Sequence, residues 1–150
     1  MTITPTLEGG LAIEPSSETD WEVLEMISRD IGRPAHLAES LAGLMVEDSE
    51  WEEYVVPDLT QNFDRQSDYV AAVIANAREN NERVVFIKSK EVDNWYGAIN
   101  QARLALEARY DLSQRDDFED TPVKIRSAHY RERFYHALQS MLLEYVMGES

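Results

Sequence analysis

DNWYGAINQARLALEARYDL, residues 93–112, is the stretch on which the fold turns. At ~100° per residue, Trp95, Ile99, Ala102, Leu106 and Tyr110 line one side of a helix. Tyr96, Asn100, Arg103 and Leu104 lie on the adjoining side, and Gly97, Ala105 and Ala108 keep much of the remainder small. A helix that is apolar over most of its circumference belongs at the centre of a domain. The expectation is a buried helix over about 90–110, with Ser89 as its N-cap and the other segments wrapped around it.

That burial makes Asn100 and Arg103 the informative polar residues. A buried Arg must be paired, because an uncompensated internal charge costs several kcal/mol. Glu107, four residues on, and acids of the first two helices are candidate partners. Two readings stay open. Asn100 and Arg103 are internal ties, or with Tyr96 they floor a pocket for an anion or a peptide carboxylate.

Upstream, RVVFI at 83–87 is a β-prone run bounded by Asn81 and Ser89. Before it a helix from Asp64 carries Tyr69, Val70, Val73, Ile74 and Ala77 and stops at Asn80-Asn81, while Pro57 biases the residue before it away from helix. Residues 10–15, GLAIEP, form a second short strand. Ser17 then caps a first helix, with Asp20 three residues on as a variant capping box and Trp21, Leu24, Ile27 and Ile31 at helical spacing. Gly32 and Pro34 separate it from a second helix over about 35–47. Downstream, a polar loop over 111–127 leads to a last helix capped by Ser127, with Phe134, Leu138, Met141, Leu142 and Tyr145 as its stripe.

A faint echo links the halves. Leu11 to Ile13, a polar cap and Trp21 correspond to Val85 to Ile87, a polar cap and Trp95, with one constant offset. Two such strand–turn–helix units would pair their strands into one small sheet.

The chain of 150 residues is read as a single domain, 1–150, and its 43% hydrophobic content suits a packed core rather than disorder. It has no cysteine, which excludes disulfide and thiol chemistry. The net charge is −15 and unevenly spread: residues 1–60 hold 14 acids against two bases, residues 61–150 hold 15 against 12. Phosphate neutralisation drives nucleic-acid binding, so so acidic a chain points away from nucleic acid and from anionic membranes. There is no run of ~18 apolar residues to span a bilayer and no secretory pattern at the start, so a cytoplasmic location is expected.

No nucleophile elbow, phosphate-binding loop or zinc-protease motif is present. His129 and His136 share a face with Glu132 between them, but paired Glu-x-x-His motifs are missing, so neither metal nor cofactor is expected. The basic run 124–133 is suited to hold the acidic half of this chain or of a second copy. Trp51, set among Glu50, Glu52 and Glu53, is a candidate hot spot for a protein partner, or a core anchor beneath a charged loop.

The long helix resembles a pattern found in an uncharacterised bacterial domain family of unknown function, often encoded beside the Clp protease adaptor ClpS. Trp95, Ile99, Asn100, Arg103, Leu104, Leu106 and Arg109 carry the likeness, and Pro57 sits where the family also has a proline. Gln101 stands where the family has Asp, and Glu107 where it has Gly. The resemblance implies a layout but no mechanism.

The expected fold is mainly α within the α+β class, with about five helices around the central one and two short strands. The expected function is a non-enzymatic interaction or regulatory module whose acidic face meets a protein partner, homo-oligomer included. The alternative is a small-molecule or anion-binding protein built on Tyr96, Asn100 and Arg103.

Overall fold

A computed structural model of the chain describes residues 1–32, 56–114 and 122–147. In order these form β1 (Thr2–Pro5), β2 (Leu11–Glu14), α1 (Glu18–Ile31), α2 (Val56–Glu79), β3 (Val85–Ile87), α3 (Val92–Tyr110) and α4 (Val123–Leu142), which runs into a π-helical turn, Leu143–Met147. The class is mainly α with one small antiparallel sheet, in strand order β1-β2-β3. No described helix is long and apolar enough to cross a membrane.

α3 is the central rod. It packs against α1, α2 and α4. Trp95, Ala98, Ile99, Ala102 and Leu106 are wholly buried. The coverage is not complete. Asp93, Asn100, Leu104 and Ala108 are exposed along one stripe of the helix. Asn100 was expected inside. It lies on that open stripe because the neighbouring helices leave it uncovered.

The internal echo is structural. β2 pairs with β3 as Leu11 with Ile87, Ala12 with Phe86 and Ile13 with Val85, a register symmetric about its middle pair. Leu11, Ile13, Val85 and Ile87 turn inward and are almost fully buried. The α1 and α3 helices that follow these strands pack on one another.

A third strand went unread. β1 folds back on β2 through a turn in which the Thr6 amide donates to the Gly10 carbonyl at 2.9 Å and Gly9 takes φ 88°. Adjacent glycines after the alternating Thr2-Ile3-Thr4 were the available signal. Gly10 is required for closeness: a Cβ there would stand 2.1 Å from the Ile87 carbonyl oxygen.

Three boundaries shift. α2 begins at Val56 rather than Asp64, with Pro57 in its first turn, where no amide donor is needed. Ser89 opens a 3₁₀ turn (Ser89–Glu91), and Glu91 precedes α3 without a side-chain cap. α4 starts after Pro122, so Ser127 is a helix-interior residue, not a cap. The start of α1 is as expected. The Ser17 hydroxyl accepts from the Asp20 amide at 3.2 Å, and Gly32 ends the helix at φ 67°. The Asp20 carboxylate accepts from the Ser16 amide and hydroxyl, both at 2.8 Å, and chiefly the amide bond holds it below the usual Asp range. The helix expected over 35–47 lies outside the described residues.

Candidate functional site

Two polar seams fasten α4 to the rest of the molecule. The first joins it to α1. Asp30 lies on the apolar face of α1, on the side of Val23 and Ile27, and is completely buried. Its carboxylate accepts from Arg131 Nε at 2.7 Å, from Arg131 Nη2 at 3.0 Å and from the Tyr135 hydroxyl at 2.6 Å. Arg131 Nη1 turns back to donate to the Ser127 hydroxyl at 2.7 Å. Arg109 of α3 donates to the Asp30 backbone oxygen at 3.3 Å.

This arrangement meets the condition for burying charge, because both carboxylate oxygens and the guanidinium fork are bonded. Burial works against the Arg131 charge, but the bond to Asp30 and its negative charge outweigh that and raise the guanidinium pKa. Burial, then the Asp30 charge, push the Tyr135 phenol well above its ordinary value, so it remains a donor.

The second seam joins α3 to α4. Arg103 donates from Nε to Glu132 Oε1 at 3.0 Å, with Nη2 2.9 Å from the same oxygen. Its Nη1 donates to Gln139 Oε1, and Gln139 Nε2 donates to Asn100 Oδ1 at 3.3 Å. Arg103 and Glu132 are each about a third exposed, at 31% and 29%. They border a cleft of 420 Å³ that also draws on Asn100, Glu107, Ser113 and His129. The His129 Nε2 atom is buried and has no hydrogen-bond partner among the described residues.

The structure therefore brings Asn100 and Arg103 together through Gln139 and at one cleft. Tyr96 does not line that cleft. Glu107, a candidate counter-charge for Arg103, instead accepts from the Ser113 amide at 3.0 Å and from its hydroxyl. Gln101, at a position where the resembled family has Asp, is buried and ties α3 to α2. Its Nε2 donates to Gln66 Oε1 at 3.0 Å, and Gly97 leaves the room that Gln66 occupies.

Trp51, Glu50, Glu52, Glu53 and His36 lie outside the described residues. Among the described residues no group of three or more His, Asp and Glu is placed to hold a metal ion. His129 is half-buried and His136 exposed.

Asp30, Tyr135 and Gln139 are the site residues that sequence reasoning passed over. Asp30 had a signal, a lone acid on the apolar stripe of α1. Tyr135 had another: Ala128, Arg131, Tyr135, Leu138 and Leu142 form a helical stripe, and all are buried. It shares Leu138 and Leu142 with the stripe expected, whereas Phe134 and Met141 are half-buried and Tyr145 is exposed.

The chain is thus a mainly helical domain with an ion-paired interior. Residues 16–146 match the family model described as Domain of unknown function (DUF2017), and the chain belongs to that family. The match covers every described helix and both seams and leaves β1 and β2 outside it. No curated protein and no solved structure matches the chain.

Proposed function

We propose that this protein is a non-enzymatic interaction module whose acidic first half meets a basic surface on a protein partner, with Trp51, Glu50, Glu52 and Glu53 at the contact. The observation that carries this reading is how the charges are used. Arg131 is matched to Asp30, Arg103 to Glu132, and Arg78 to Glu18 and Glu25. The inner cations are therefore committed to the chain's own acids, yet of the 14 acids in residues 1–60 these pairs use only Glu18, Glu25 and Asp30, against two bases in that segment. Surplus charge of one sign steers association with the opposite sign. The resemblance to a bacterial family encoded beside ClpS agrees with a cytoplasmic role near regulated proteolysis.

The test is capture from cytosolic extract on immobilised protein, repeated across a salt series and with Glu50→Lys, Glu52→Lys and Glu53→Lys combined. A specific partner that is lost as salt rises, and lost in the triple variant, supports the reading. Retention indifferent to both refutes it.

A second reading rests on the α3–α4 cleft, which Arg103 lines together with Asn100 and His129. There an anion would compete with Glu132 for Arg103. Inorganic phosphate or a small dicarboxylate that raises the melting temperature of the wild type, but not of Arg103→Lys, is the outcome this reading requires. Absence of any anion-dependent shift removes it.

A further inference from the structure

The sheet ends at β3, and among the described residues no strand pairs on its outer side. Its middle residue, Phe86, is 57% exposed, whereas Val85 and Ile87 on either side are buried. Beside Phe86 a cleft of 460 Å³ opens between the hairpin turn and the 3₁₀ turn. Thr6, Glu8, Gly10, Phe86, Lys88 and Lys90 line it. At Gly10 the hairpin turn comes so close to β3 that any side chain would run into the Ile87 carbonyl. Leu7, at the tip of the same turn, is fully exposed.

The local charge runs against that of the chain. Lys88 and Lys90 are exposed, and no carboxylate among the described residues pairs with either. Lysines within an edge strand deter pairing. Here both lie beyond the C-terminal end of β3, next to Phe86, the one residue of that strand that is exposed. An exposed edge beside an apolar cleft is the arrangement that accepts an added strand, with backbone bonds giving affinity and alternate side chains giving selectivity.

We propose that the outer edge of β3 docks an extended acidic segment of a partner protein. The segment adds as a fourth strand, lays an apolar side chain against Phe86 and presents carboxylates to Lys88 and Lys90. A second copy of the chain is the less favoured occupant, because it brings together two molecules of net charge −15. This surface is separate from the acidic contact proposed above and stands or falls without it.

The probe is a short fluorescein-labelled peptide alternating valine with glutamate, read by fluorescence anisotropy. A matched peptide carrying lysine in place of glutamate is the control. The glutamate peptide is expected to bind, with amide NMR shifts confined to residues 84–90 and the hairpin turn. Lys88→Glu combined with Lys90→Glu, and separately Phe86→Ser, should each weaken binding by about tenfold or more. Should Phe86→Ser lower the melting temperature, the exposed lysine pair carries the test alone. Equal binding of the lysine peptide, no binding at millimolar concentration, or indifference to the lysine reversal overturns the proposal. So does a concentration-dependent dimer, seen by sedimentation equilibrium, that Phe86→Ser abolishes, since a second copy would then be the occupant.

Discussion

The two seams that hold α4 use the same chemistry, an arginine on a carboxylate, yet they differ in almost every physical respect. In the α1–α4 seam Asp30 is wholly buried and accepts three hydrogen bonds from Arg131 and Tyr135. In the α3–α4 seam Arg103 and Glu132 stand about a third exposed beside a cleft. Buried pairs are costly to break singly, because the survivor is a stranded charge. Partly exposed pairs are screened and contribute little. The first seam therefore fixes geometry, and the second leaves its charges within reach of solvent.

The comparison breaks most readily at Asp30. Asp30→Ala should destabilise the fold by about 3–5 kcal/mol, read by urea denaturation, because Arg131 is left buried without its counter-charge. A loss no larger than that of Arg103→Ala would erase the distinction. Replacing both partners, Asp30→Leu with Arg131→Met, should recover at least half of that loss, since two apolar groups strand no charge. Tyr135→Phe should cost about 1.5 kcal/mol, because the carboxylate keeps both Arg131 bonds. Arg103→Ala should cost less than about 1 kcal/mol and lose most of its effect in high salt. If Arg103→Ala instead proves as damaging as Asp30→Ala, independently of salt, the cleft is a closed structural tie.

Sequence reasoning read one seam and missed the other for a definite reason. Periodicity within residues 93–112 placed Trp95, Ile99, Ala102 and Leu106 at the centre, because a helix buried on several sides displays this in its own residues. It singled out Arg103 on the same basis. It did not single out Arg131, because charge and spacing along α4 look alike whether that face meets water or α1. Only the arrival of Asp30, 101 positions away in the chain, decides between them. Asn100 failed in the opposite sense, since helix periodicity does not say which stripe the neighbours leave open. The β2–β3 pairing was legible because two similar strand–helix units point to one sheet, whereas β1 offered only the brief alternation Thr2-Ile3-Thr4 ahead of its adjacent glycines. Trp51 and its flanking glutamates lie outside the described residues.

The register of β2 and β3 has a kinetic consequence. Leu11 must find Ile87, a separation of 76 residues, whereas β1 reaches β2 through a tight turn. Pairings distant along the chain are slow to form because loop closure precedes their reward. On a ribosome the hairpin can close early. The sheet then waits, with the far side of β2 unsatisfied, until the segment carrying β3 has emerged.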